Sequence, residues 1–266
     1  MFIARISFQP QDAAERRIAF GIVHGVDERG IPNADATIEI LASHPFGELE
    51  STGQHVALTD ARLLPPIIPT KIIGIGKNYA DHASEMGGEV PVEPIIFLKP
   101  TTALIGSGDD IILPSADRRV DHEVELAVIM GRLAKDISAE KALDYVFGYT
   151  VANDVSDRHL QKLDGQWTRA KGFDTFLPMG PWIRTDIAPD NLRLTAEIND
   201  DLTQDGNTRD LVKGVAELVA FCSSVMTLVP GDIILTGTPA GVSQIRPGDV
   251  VTCAIEGIGE LINPVA

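Results

Sequence analysis

The stretch from Val120 to Gly131, VDHEVELAVIMG, sets two glutamates, two residues apart, at a run of β-formers. Val124, Leu126, Val128 and Ile129 favour a strand, and Gly131 stops it. Side chains at i and i+2 of a strand leave the same face, so Glu123 and Glu125 point side by side with apolar neighbours opposite. Two like charges roughly 6–7 Å apart on a half-buried face repel each other and resist desolvation. Two arrangements relieve them. A hard divalent cation takes carboxylate oxygens as its preferred ligands; alternatively, both acids lie on an open sheet face in water.

The chain has enough apolar material to bury such a strand. With 266 residues, 44% of them hydrophobic, and a mean hydropathy of +0.08, one large domain or one domain with a small companion is expected. Asp and Glu number 38 against 22 Lys and Arg, a net charge of −16. That surface repels nucleic-acid phosphates and anionic membranes, and no lysine-rich run supplies a local footprint. A small anionic substrate would need its own cationic patch. The two cysteines, Cys222 and Cys253, sit in no CxxC and read as buried thiols of a reducing compartment. The N-terminal MFIARISFQPQDAAERR lacks the basic start and apolar run of a signal peptide, and no window approaches the ~20 apolar residues that span a bilayer. A soluble, cytoplasmic protein without nucleic-acid or membrane partners is expected.

Residues 1–68 read as a small β-rich N-terminal domain with strands FIARISF, RIAFGIVHG, ATIEILAS and HVALTD; residues 69–266 form the second domain. Pro65, Pro66 and Pro69 mark residues 61–70 as an extended connector. KIIGIG is a buried strand leading into a short helix, NYADHASEM, closed by Gly87. Its Gly74 and Gly76 do not start a nucleotide loop, because Tyr79 stands where a third glycine belongs and Asn78 follows Lys77; they read as a tight strand exit. PIIFLKP is another strand, and SAEKALDY a helix with Ser138 as N-cap. RLTAEINDDLTQDGNT is a hairpin turning at Asp200 and Asp201. Its DxTxDG is not a calcium loop, since the twelfth position from Asp201 is Val212 rather than Glu. Leu211, Val215, Leu218, Cys222, Val225 and Val229 predict one amphipathic helix over residues 211–229. Strands outnumber helices from Lys71 onward, so the fold class is α+β, mainly β, and not a doubly wound sheet.

Four constellations carry chemistry. Glu123, Glu125 and Asp154, the last ending an apolar strand, make a donor set suited to octahedral magnesium or manganese. His82 and Glu85 share one helix face, where a carboxylate fixes the imidazole tautomer and raises its basicity; a surface pair is the alternative. Lys171 in RAKGFDT, with Arg158 and Gln161 in DRHLQ, can meet a metal-bound anion if a helix carries Arg158 and Gln161 on the face of Asp154; solvated charge is the alternative. The GTPAG turn around Thr238 offers N–H groups and a hydroxyl to a carboxylate, or is simply a tight turn.

KIIGIGKNYADHASEM, PIIFLKP, VDHEVELAVIMG, GYTVANDVSDRHLQ, WTRAKGFDTFLPMGPW and PGDIILTGTPAGV together resemble the successive motifs of the fumarylacetoacetate hydrolase family, over about residues 70 to 266. The resemblance implies a mixed β-sandwich roll of the fumarylacetoacetase C-terminal type, usually a homodimer, with Mg2+ or Mn2+. It implies that Glu123, Glu125 and Asp154 are the metal ligands, that His82 and Glu85 activate water, and that Lys171 is the active-site lysine. Arg158, Gln161 and Thr238 match positions that hold the substrate; Lys77, also a substrate-binding position, stands where members often carry arginine. Residues 1–68 resemble the N-terminal extension of bacterial members. The implied substrates are small 2-oxo acids reacting through an enolate, by hydrolysis of acylpyruvate or fumarylpyruvate type or by decarboxylation of oxaloacetate. The rivals are an isomerase of 2-hydroxyhepta-2,4-diene-1,7-dioate or 5-carboxymethyl-2-hydroxymuconate type, and a non-catalytic oxo-acid-binding metalloprotein.

Overall fold

The structure is a computed structural model that describes residues 1–10, 15–115 and 117–266. Residues 11–14, part of the N-terminal stretch read above for a targeting signal, lie outside the described residues. The N-terminal segment gives strands β1 (Phe2–Phe8), β2 (Arg17–Val26), β3 (Pro32–Leu41), β4 (Ser51–Ala57) and β5 (Ala61–Leu64). β5 pairs antiparallel with β1 from Arg5–Leu64 to Phe8–Ala61. Residues 61–64 of the expected connector are therefore a ladder strand. It ends where Pro65 and Pro66, lacking N–H groups, can no longer donate.

The remainder supplies β6 (Ile72–Gly76), α1 (Ala80–Glu85), β7 (Ile95–Lys99), β8 (Leu104–Ile105), β9 (Val120–Asp121), β10 (Val124–Met130), α2 (Ala139–Ala142), β11 (Val146–Asn153), β12 (Ser156–Asp157), α3 (Arg158–Asp164) and α4 (Thr168–Lys171). Then come β13 (Leu177–Arg184), β14 (Arg193–Ile198), β15 (Asp201–Asn207), α5 (Val215–Val225), β16 (Ile233–Leu235), β17 (Val250–Ile255) and β18 (Gly259–Pro264). A large mixed sheet runs in the order β4-β3-β2-β1-β13-β11-β10-β16-β6-β7, and a smaller one in the order β15-β14-β17-β18. The mainly β class is as expected. β1 pairs with β13 at Phe2–Arg184 and Ile3–Ile183, so the ladder continues between the N-terminal strands and the rest.

β10 lies between β11 and β16, antiparallel to both. Its alternate residues enter two separate cores. Val124, Leu126, Val128 and Met130 pack with Leu218 and Cys222 of α5 and with the small sheet. Ala127 and Ile129 pack with Leu177, Met179 and Ile233. The half-buried strand expected from the sequence is thus buried on both faces, each fully covered apolar side chain contributing about 1.5–3 kcal/mol. Among the described residues no helix is long and apolar enough to cross a membrane.

Three local expectations change. The amphipathic helix covers Val215–Val225 only, because both ends of the apolar stripe are taken by β-bridges: Leu211 with Tyr79, and Leu228 with Ala134. Val225 faces solvent. Ser138 occupies the N-cap backbone position of α2, but its hydroxyl accepts no helix N–H. The β14–β15 hairpin turns one residue earlier, at Asn199 and Asp200, whose φ values of +52° and +70° suit a tight primed turn.

Candidate active site

The stretch from Val120 to Gly131 is broken in the fold. β9 ends at Asp121 and β10 begins at Val124, so Glu123 stands in the break and Glu125 in the ladder. The Glu123 N–H donates to Asn153 Oδ1 at 2.9 Å, and its carbonyl accepts the Asp154 N–H at 2.8 Å. Asp154 follows the last residue of β11, so the ladder that pairs Val124 with Asn153 brings it beside Glu123. One carboxylate oxygen from each of Glu123, Glu125 and Asp154 lies within 4.8 Å of the others. The three acids are 3%, 2% and 0% exposed, which removes the alternative of an open sheet face.

Three buried anions this close demand positive charge. Lys171 Nζ donates to Glu123 Oε2 at 2.7 Å and also to Asp154. Arg158 Nη2 lies 2.6 Å from Glu123 Oε1. Burial by itself would raise the Glu123 carboxyl, yet Lys171 and Arg158 outweigh it and hold the group well below its usual range. Glu125 goes the other way: burial, then Asp154 and Glu123, push it well above the usual range. Its Oε2 accepts the Gly237 N–H at 2.6 Å. An acid disfavoured as an anion by its like-charged neighbours, with oxygen donors converging on one point, fits a divalent cation. The donor set is all oxygen, the kind that hard divalent cations take.

These groups open on a cavity of about 760 Å3 lined in part by His82, Glu85, Glu123, Glu125, Arg158 and Lys171. Asp154 is not part of the lining; it accepts from Lys171, which is. His82 Nδ1 is 3.3 Å from Glu85 Oε2 on α1, and the Glu85 carboxylate also accepts the Gly241 N–H at 3.1 Å. The pair expected from i, i+3 spacing forms, with a backbone contact the spacing could not reveal.

Arg158 and Gln161 reach the cavity by a different route from the one expected. Asp154 precedes α3 rather than sharing its face. The helix starts after Asp157, whose side chain accepts the Leu160 N–H at 3.0 Å, and its first turn places Arg158 Nη1 2.9 Å from Gln161 Oε1. Asp121, fully buried, accepts from Arg158 Nε at 2.9 Å and anchors the guanidinium. Thr238 lines the cavity, but its hydroxyl is already engaged, donating to the Val124 carbonyl and accepting from Gln204 Nε2, both at 2.8 Å. Lys77 lines the rim with φ +56°.

Lys99 and Gln204, like Asp121, escaped the sequence reading. Lys99, fully enclosed, donates to Asp154 Oδ1 at 2.6 Å; burial pulls its ammonium down, against the pull of Asp154. Its signal was a lysine closing the apolar PIIFLKP strand. Gln204, fully buried in the rejected DxTxDG motif, accepts the Val124 N–H at 3.0 Å and donates to Thr238 and to the Pro239 carbonyl. Its signal was an amide in a strand facing the core.

Fold and site together define a mainly β protein with a buried carboxylate cluster, beside two lysines and an arginine, under one cavity. The chain belongs to the fumarylacetoacetate hydrolase family. Residues 71–266 match the family described as fumarylacetoacetate (FAA) hydrolase C-terminal, and residues 1–66 match the Rv2993c-like N-terminal family. Among its relatives, Protein Rv2993c of Mycobacterium tuberculosis is 50% identical over 251 residues, covering 93% of this chain and 94% of that one. The structure of 5-carboxymethyl-2-hydroxymuconate delta-isomerase from Mycobacterium smegmatis superposes with a TM-score of 0.90 at 46% identity, covering 100% and 99%. That of fumarylpyruvate hydrolase from Pseudomonas aeruginosa, in complex with Mn2+ and pyruvate, gives 0.71 at 31%, covering 77% and 91%.

Proposed function

We propose that the protein is a Mg2+- or Mn2+-dependent enzyme of small 2-oxo acids that breaks a C–C bond, either by hydrolysis of acylpyruvate or fumarylpyruvate type or by decarboxylation of oxaloacetate. The observation that carries this reading is the buried triad Glu123, Glu125 and Asp154 within 4.8 Å, of which Glu123 and Glu125 line a cavity that also holds Lys171 and the His82–Glu85 pair. When bound by the triad, the divalent ion supplies Lewis-acid polarisation of the 2-oxo group.

The protein's own groups do the rest. Arg158, held by Asp121 and Gln161, presents a guanidinium to the substrate carboxylate. Lys171 keeps its positive charge where negative charge grows on the oxo oxygen as the enolate forms, so its attraction strengthens toward the transition state. Burial works against the charged ammonium, but Asp154 and Glu123 outweigh it and raise its pKa. His82 hydrogen-bonds Glu85 through Nδ1, which leaves Nε2 to take a proton from water for attack on the distal carbonyl. Decarboxylation needs only the enolate-stabilising half. Lys77 at the rim meets the distal end of a dianionic substrate.

A second reading, isomerisation of 5-carboxymethyl-2-hydroxymuconate or 2-hydroxyhepta-2,4-diene-1,7-dioate type, is supported by the full-length similarity to the mycobacterial isomerase. Purified protein assayed with Mg2+ and with Mn2+ on oxaloacetate, acetylpyruvate, fumarylpyruvate and a hydroxymuconate-type diene acid separates the readings. C–C cleavage of any of the first three supports the main one; turnover of the diene acid alone supports isomerisation; no turnover with retained oxo-acid binding refutes both. The assembly proposed is a homodimer, checked by sedimentation.

A further inference from the structure

Gly74 and Gly76 do not serve the strand exit expected from the sequence. Neither has left-handed backbone, so any residue could adopt their conformation. What they supply is space. They share one face of β6, and in the β6–β7 ladder Gly74 pairs with Phe97 and Gly76 with Ile95. A Cβ on Gly74 would run into the Phe97 ring. A Cβ on Gly76 would lie 2.5 and 2.7 Å from Cζ3 and Cη2 of Trp167. The two rings rest on bare backbone, edge to face, with centroids 5.3 Å apart and planes at 66°. Together they underlie the Lys171 ammonium, 4.9 Å from the Phe97 centroid and 6.0 Å from that of Trp167.

Gly76 and Trp167 both line the active-site cavity. Ordinary carbon–carbon contact is about 3.5–4.0 Å, so a methyl at position 76 would displace the indole by about 1 Å. The ring cannot withdraw toward Phe97, which is already in edge contact with it and seated on Gly74. On the ladder side the added methyl itself fills the space, in ordinary contact with the Ile95 Cβ at 3.6 Å. The open direction is the cavity. The polar floor there belongs to the carboxylate and oxo groups of a substrate; Trp167, with Ile75, Met86 and Val242, forms apolar wall.

We infer that the Gly76–Trp167 contact sets the size of the distal substituent this site accepts: with no side chain at position 76, the indole lies back on β6 and leaves room for oxo acids longer than oxaloacetate. The inference rests on the oxo-acid reading and deepens it. The test uses full-length Gly76→Ala and Trp167→Phe proteins, assayed with Mn2+ on oxaloacetate and fumarylpyruvate, with Mn2+ affinity measured by calorimetry. Gly76→Ala is expected to lower the fumarylpyruvate-to-oxaloacetate ratio of kcat/KM by about tenfold or more, the size of effect one misplaced carbon has in an apolar pocket. Its Mn2+ affinity should stay within about twofold of wild type, because none of the atoms nearest the added methyl belongs to a triad carboxylate. Trp167→Phe, which keeps an aromatic face under Lys171 but removes bulk, should raise the same ratio. It carries the test alone if Gly76→Ala does not fold. Equal loss on both substrates, an unchanged ratio, or a fall in Mn2+ affinity matching the fall in turnover overturns the inference. Wild-type protein inactive on both substrates overturns the oxo-acid reading and this inference with it; active wild type with an indifferent ratio in the variants overturns this inference alone.

Discussion

The two halves of the cavity are built on different supports. The carboxylate half stands on β10 and β11, central strands with covered faces, and each acid is tied by backbone as well as by side chain. The imidazole half stands on α1, a helix of six residues. His82 is tied to Glu85 at 3.3 Å, and Glu85, about one-third exposed, is tied to the Gly241 N–H. Under the proposed function, the contrast assigns work to each half. Stabilising an enolate needs charge held still in a dry place, which a sheet interior provides. Delivering water needs contact with solvent, which an exposed short helix retains.

Asp154→Asn and Glu123→Gln strike the rigid half and should have the largest effect. Turnover on every substrate should fall by about 10³-fold or more, with Mn2+ binding lost in calorimetry. Near-normal turnover in either variant would break the comparison at its base. His82→Ala strikes the other half, and hydrolysis of fumarylpyruvate should drop by about 10²-fold or more. Oxaloacetate decarboxylation should fall far less; equal losses would mean that the halves are not separable. Glu125→Gln sharpens the contrast through stability. Its neutral amide can still accept the Gly237 N–H while relieving crowding among buried anions, so in chelator its Tm should be no lower than that of wild type. In excess Mn2+ the wild type should gain about 2.7 kcal/mol at a hundred times Kd, and the variant should not. The smallest effect is expected for Glu85→Gln, where the bond between a buried imidazole and a carboxylate about one-third exposed is weakened. Unfolding should change by under about 1 kcal/mol while hydrolysis falls severalfold. A large loss of stability there would place α1 among the rigid parts.

Much of this was legible in the order of residues. The mainly β class followed from short apolar runs between turn residues, and the hairpin at Asn199–Asp200 from its flanking alternation, off by one position. The i, i+3 pairing of His82 with Glu85 needed only helical geometry. The stripe from Leu211 to Val229 shows where such reasoning fails. Helical spacing described its apolar residues, but two β-bridges to distant segments took both ends. The Gly74–Gly76 pair shows a subtler failure. Glycine reads as conformational freedom, and here it is room for two rings that arrive from positions 97 and 167.

The sequence by itself determined which residues could bear charge, which runs would become strands, and that acids in an apolar stretch needed either a cation or water. Those properties are local, set by side-chain chemistry and the two-residue repeat of a strand. Only the tertiary structure removed the open sheet face, by covering both faces of β10. It alone joined Glu123 to Asp154 through the β10–β11 register, and brought Lys99 and Gln204 to the site from strands whose spacing carries no mark of it. Backbone hydrogen bonds and close approaches between segments far apart in the chain leave no period to read, because they depend on where the rest of the fold puts the partner.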